Sequence, residues 1–185
     1  MKSMRWILPG LALAALLGNG CIIVSAQIFA NYALPSVAID NTGTPDQVFK
    51  QDVDLSTVSD YTKNKDKLKG LSDLAVVGKF SNQSGPAVAV EFWITPSTTA
   101  FTTGTAVKAG ATKLWGGLSL GAASATRTVG WDESAKLFNS AGKKILIDET
   151  LGDGKFTLYA LVTGPGPNLV HVDNGQILLV IDAGK

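Results

Sequence analysis

The chain has 185 residues, 45% of them hydrophobic and 17% charged, with 16 basic side chains against 15 acidic ones, one histidine and one cysteine. That length accommodates one domain with a sizeable core and not two. The near-neutral balance argues against a nucleic-acid partner, which would ask for a concentrated basic patch, and a single cysteine excludes any internal disulfide.

Lys2 and Arg5 precede an apolar run at residues 7–17, interrupted early by Pro9 and Gly10, which is the build of a secretory signal peptide. Gly18, Asn19 and Gly20 then supply the small-residue segment that a signal peptidase needs, because the cleaved stretch must lie extended in a narrow active site. Cys21 follows at once. Leu16-Leu17-Gly18-Asn19-Gly20-Cys21 resembles the lipobox of bacterial lipoproteins, in which the thiol is alkylated by a diacylglyceryl group and becomes the new N-terminus. Gly18 and Asn19 stand where that pattern has Leu and then Ala or Ser. The resemblance implies lipidation at Cys21 and a membrane partner through the anchor. Ile22 is not the acidic residue that holds such proteins at the inner membrane, which points to the outer membrane.

Two other routes stay open. Val24-Ser25-Ala26 offers an ordinary cleavage site before Gln27, which would give a soluble secreted or periplasmic domain. Residues 6–24 are also nearly long enough to span a bilayer core of about 30 Å, although Pro9, Gly10, Gly18, Asn19 and Gly20 suit that poorly. The lone thiol favours lipidation, since an idle cysteine on an exported domain invites intermolecular pairing.

Residues 1–20 are therefore assigned to the signal peptide, 21–47 to a lipid-anchored tether and 48–185 to the folded domain. The tether segment is mildly apolar and carries Asn31, Pro35, Asn41, Gly43 and Pro45, with one edge strand expected at 36–40. Residues 48–58 alternate, with Phe49, Val53 and Leu55 opposite Asp52 and Asp54, as in a half-buried strand. Asp60 is a candidate N-cap for a short amphipathic helix over 60–69, with Tyr61 and Leu68 on one face, the lysines at 63, 65, 67 and 69 on the other, and Gly70 as its stop. Diluted by Asp60 and Asp66, those lysines read as a solvated helix face. The run from Val53-Asp54-Leu55-Ser56 through Lys69-Gly70-Leu71, followed by a strand, resembles the opening of uncharacterised bacterial lipoproteins with a β-sandwich body. That resemblance implies a location and a fold and carries no functional residue.

Residues 74–80 and 87–94 are rich in β-branched and aromatic side chains, and the Ser81-to-Pro86 segment between them is turn chemistry, so a hairpin is expected. Val88, Val90, Phe92 and Ile94 share one face of the second strand, and Ala89, Glu91 and Trp93 the other. Short strands are expected at 105–109, 111–115, 118–120 and 125–129. Trp131-Asp132-Glu133-Ser134 opens a second helix running to Gly142, its acids placed to complement the helix dipole. Strands follow at 144–149, 155–163, 168–173 and 176–182. Asp173-Asn174-Gly175 is a type I′ hairpin signal between the last two.

The inventory is poor in chemistry. A hydrolytic triad needs a histidine base, and His171, the only candidate, falls out of phase with the valines of its strand and reads as a solvent-facing residue. One histidine and one lipidated cysteine cannot supply a zinc site. Asp148, Glu149 and Asp153 lack the order of a calcium loop, and no glycine-rich segment has the lysine and helix of a phosphate site. No catalytic residue, metal or cofactor is assigned, and the chain is not read as an enzyme.

The expected fold is all-β, an immunoglobulin-like or related sandwich with two short helical insertions. The expected role is that of a lipid-anchored cell-envelope protein acting through contacts with another envelope protein, which calls for an exposed sheet edge or apolar patch. The alternative is a carbohydrate or small-ligand module. Trp93 with Glu91 would stack a sugar ring and take its hydroxyls, and Trp115 and Tyr159 would extend the platform.

Overall fold

The computed structural model describes residues 25–34, 37–40, 48–96 and 100–184. In chain order the elements are β1 (Ser25–Ala33), β2 (Val37–Asp40), β3 (Phe49–Asp54), α1 (Ser59–Asn64), β4 (Leu68–Asn82), β5 (Val88–Pro96), α2 (Gly104–Gly110), β6 (Thr112–Leu120), β7 (Thr126–Val129), α3 (Trp131–Ala135), α4 (Ser140–Leu151), β8 (Lys155–Thr163) and β9 (Leu169–Gly184). Short 3-10 turns at Leu55–Thr57 and Lys65–Lys67 flank α1.

The strands form two antiparallel sheets. One runs β1-β9-β4-β7, with β2 paired to the first part of β9, and the other runs β3-β8-β5-β6. From β2 onward the chain changes sheet at every connection but β5 to β6. That interleaving is the order of a jelly roll, so the related member of the expected sandwich class is the one observed, and not the immunoglobulin order itself.

The two inner faces make one core. Ile28, Leu74, Val76, Phe80, Val172, Leu179 and Ile181 from the first sheet meet Val53, Val90, Phe92, Ile94, Phe156 and Leu158 from the second, all buried. Each such side chain contributes about 1.5–3 kcal/mol when withdrawn from water. Alternation supplies them: Val88, Val90, Phe92 and Ile94 are buried as the period-2 pattern of β5 requires, while Ala89, Glu91 and Trp93 between them are half-buried on the outside.

Several expectations are corrected. Where it is described, the segment 21–47 is sandwich and not tether: Ile28, Ala30 and Leu34 are buried, so Ser25–Ala33 lies in the first sheet against β9. The edge strand expected at 36–40 is present as β2, and Cys21 with the export segment lies outside the described residues. The strands expected at 74–80 and 87–94 do not pair, because β4 and β5 belong to different sheets. Their connection is a corner built on buried Asn82. Its Nδ2 donates to the carbonyls of Pro86 and Gly121 at 2.8 and 2.7 Å, and its Oδ1 accepts from the backbone and hydroxyl of Ser84 at 2.9 and 2.7 Å.

Residues 105–109 and 144–149 are helical, not extended. Thr103 caps α2 by accepting from Ala106 N, and Asn139 caps α4 by accepting from Ala141 N and Gly142 N. Gly142, Leu146 and Thr150 then fall on one buried face of α4 at four-residue spacing. Gly70 does not end a helix but lies inside β4, which starts at Leu68. The separate strands expected at 111–115 and 118–120 are one, β6. The expected hairpin at Asp173-Asn174-Gly175 is one continuous strand, β9, in which Asn174 takes a positive φ of 51° as a kink and not as a turn.

Candidate functional site

The four residues assigned to a ligand platform do not share a surface. Trp115 is wholly buried in the inter-sheet core, its ring stacked on Phe80 at 5.9 Å and edge-on to Phe92 at 5.3 Å. Its indole N–H donates to the hydroxyl and carbonyl of Ser134 at 3.1 and 3.2 Å. Tyr159 is also fully buried, on the outside of the second sheet, where Val107 of α2, Leu161 and the Phe101 ring at 5.6 Å pack on it. The backbone N–H of Phe101 donates to its hydroxyl at 3.3 Å. Neither ring can be reached by a sugar from solution, which corrects that part of the platform.

Glu91 and Trp93 do come together, on the outer face of the second sheet. They sit two apart on β5, so both point outward, and β6 brings Lys113 opposite Trp93. The indole N–H of Trp93 donates to Glu91 Oε2 at 3.2 Å, Lys113 Nζ donates to Oε1 at 2.6 Å, and the same ammonium lies 5.3 Å from the centroid of the Trp93 ring. The Glu91 side chain is only 13% exposed. Both of its oxygens are therefore engaged within the protein and the ring is capped by a cation, an arrangement that ties β5 to β6. A sugar stacking there would have to displace Lys113 and would find one ring.

Among the described residues no group of three or more His, Cys, Asp or Glu side chains is gathered closely enough to hold a metal ion. His171 is part-exposed, with Nε2 2.9 Å from Asp173 Oδ1 on the same strand. Glu133 pairs with Arg127 of β7, while Asp132 is exposed. Glu149 is held above the ordinary carboxylate range, first by burial and then by the negative charges of Asp153 and Asp148.

The feature that sequence reasoning missed is β1. Its outward residues are Gln27, Phe29, Asn31 and Ala33, all exposed, and Phe29 at 70% exposure is the most exposed large hydrophobic side chain among the described residues. Among those residues its only ladder partner is β9, so alternate amide groups of β1 face away from the sheet. The signal was present as Ile28, Ala30, Tyr32 and Leu34 at period 2, masked by nearby Pro35 and the polar residues after it.

No family model matches the chain, and no curated protein matches it. Among solved structures it is similar to a chain of Mud crab tombus-like virus, at 11% identity and a TM-score of 0.38 over all of this chain and 86% of the other. It is also similar to a chain of Desmodium yellow mottle tymovirus, at 14% identity and a TM-score of 0.28 over 87% and 89% of the two chains. At these scores neither bears on function. Among the described residues no helix is long and apolar enough to cross a membrane.

Proposed function

We propose that this chain is an exported cell-envelope protein, lipid-anchored at Cys21, that works through protein contacts made at a sheet edge. The observation that carries the contact reading is β1: an edge strand with an outward phenylalanine 70% exposed at its middle. Exposed hydrophobic side chains beside unpaired strand amides mark a surface able to take another strand.

The start of β1 changes the geometry of the anchor. Ser25 is four residue steps beyond Cys21, a reach of about 14 Å at full extension. A lipid on Cys21 would therefore hold the sandwich close against the membrane and not on a long stalk. The end of the sheet where β1 begins is also where β4 begins, since Ser25 lies opposite Gly184 and Leu68 opposite Ala183. Exposed Lys65, Lys67 and Lys69 gather at that end.

The test has two parts. The mass of the N-terminal peptide from the native membrane fraction should show diacylglyceryl on Cys21, and a free N-terminus at Gln27 would replace the anchored reading by a soluble one. A photo-crosslinking residue at position 29 should give protein adducts in intact cells. None at that position would remove the contact reading.

A further inference from the structure

We propose that the partner of β1 is a second copy of this chain, the two β1 strands pairing antiparallel about a twofold axis through Phe29. The inference rests on the contact reading above and names its partner.

The sheet edges differ in how they are guarded. Sheet edges are ordinarily blunted by charge, proline or bulges, which prevent unplanned pairing. Edge strand β3 carries Lys50, Asp52 and Asp54, β6 carries Lys113, and β7 is four residues long and carries Arg127. β1 has the sequence Ser-Ala-Gln-Ile-Phe-Ala-Asn-Tyr-Ala, with no charge and no proline. Its register with β9 runs through nine successive pairs without a shift, whereas β4 on the other side of β9 is shifted at three places. Among the described residues it is a long, regular edge without charge, proline or bulge.

The same strand is complementary to its own reverse. Phe29 is the fifth of nine residues. With the axis at Phe29, an antiparallel partner sets Phe29 opposite its twin and Gln27 opposite the second copy's Asn31 on the outer face, and Ile28 opposite Ala30 on the inner face. Two rings pair across the strands and two carboxamides, each a donor and an acceptor, meet on either side. The uncharged edge brings no like charges together across the axis. Within one copy, among the described residues, Gln27 and Asn31 make long side-chain bonds, to Ser72 Oγ at 3.4 Å, Asp182 Oδ1 at 3.5 Å and Gln176 Oε1 at 3.5 Å. The result is isologous and closed, so it stops at two copies.

A contact one strand long, about 30 Å, lies toward the small end of specific interfaces, so association is modest and concentration-dependent.

Disulfide trapping in the mature full-length protein tests the register. Phe29→Cys places two thiols on directly opposed residues, whose Cα atoms are about 4.5–5.5 Å apart in an antiparallel pair and within disulfide reach. Asn31→Cys places its own pair four residues out of step, beyond reach, and the double variant Gln27→Cys/Asn31→Cys restores it. Either cleavage route leaves no free thiol at position 21, acylated in one and removed in the other. The expected result is a covalent dimer from Phe29→Cys and from the double variant but not from Asn31→Cys, together with light scattering at twice the monomer mass that Phe29→Asp abolishes. A monomer at all concentrations with no Phe29→Cys product overturns the proposal, as does equal trapping at positions 29 and 31. Adducts from position 29 to a different protein overturn self-pairing while leaving the contact reading intact, whereas adducts to nothing remove both.

Discussion

Gly78 of β4 lies directly against Gly175 of β9: a Cβ placed on Gly78, whose φ is +154°, would sit 3.1 Å from the Cα of Gly175. Both strands are irregular here, since the ladder passes from Val77 opposite Gln176 to Lys79 opposite Asp173. The missing side chains let two kinked backbones touch at the centre of the first sheet. Gly78→Ala should therefore cost about 1–3 kcal/mol, read as a lowered midpoint in urea with an unchanged slope. A variant as stable as the parent would show that the bulge relaxes freely.

Ser134 offers a second sensitive position. Its buried hydroxyl accepts from the backbone N–H of Val76 at 2.7 Å and from the Trp115 indole at 3.1 Å, closing the side of the sandwich where α3 lies against β4. Ser134→Ala leaves the Val76 amide without its acceptor, although the indole keeps the Ser134 carbonyl. The expected loss is about 1–3 kcal/mol, measured by thermal unfolding.

Gly142 is where α4 approaches β6 most closely, and a Cβ there would collide with the Lys113 carbonyl and Leu114 Cα. Backbone atoms cannot swing aside. Gly142→Ala should destabilise by about 3 kcal/mol, whereas Ala141→Ser, on the exposed side of the same turn, should change little in the same unfolding assay.

Two carboxylates give opposite pH dependences. Asp52 is held below its ordinary value of 3.8, first by the Thr157 hydroxyl bond and then by its bond to Lys50 and the attraction of that charge. Its folded value is below the unfolded one, so its contribution is present above the unfolded value and is lost as pH falls through the depressed one. Glu149 is raised above 4.5 by burial, Asp153 and Asp148, so its ionisation costs stability as pH rises through the unfolded value toward the raised one. Thr157→Val should flatten the acid limb of the stability curve. Glu149→Gln should stabilise at neutral pH and lose that advantage in acid, and a gain that persists unchanged in acid would remove the electrostatic account.

Tryptophan quenching separates the rings. Trp115 is wholly buried, while Trp93 and Trp131 are half-buried, the latter donating to Asp73 Oδ2 at 2.8 Å. In the mature protein Trp93→Phe should reduce the component open to acrylamide, and Trp115→Phe should remove the protected one. The opposite pattern would contradict the placement of Trp115 between the sheets.

The strands that were legible in the sequence are those whose alternation survives intact, such as Phe156, Leu158 and Ala160 in β8, or Val88 through Ile94 in β5. Pairing was not legible. A hairpin and a crossing between sheets use the same turn residues, and only the four hydrogen bonds of the Asn82 side chain distinguish them here. The helix α4 was hidden by its Ile145-Leu146-Ile147 run, which satisfies a strand pattern locally. Asn139 as a cap and the spacing of Gly142, Leu146 and Thr150 were the competing signal. For the candidate site, Glu91 and Trp93 were placed together correctly because they lie on one strand. Trp115 and Tyr159 were not, because residue type says nothing of which layer an aromatic ring fills.

β9 has a further consequence for how the molecule comes into being. It is the last strand of the described chain and the shared neighbour of β1, β2 and β4. Those three leave the ribosome before it and have no central strand to join. The first sheet can close only once β9 has been made, and a premature stop before Gln176 would deprive β1 of its whole partner rather than trim an edge.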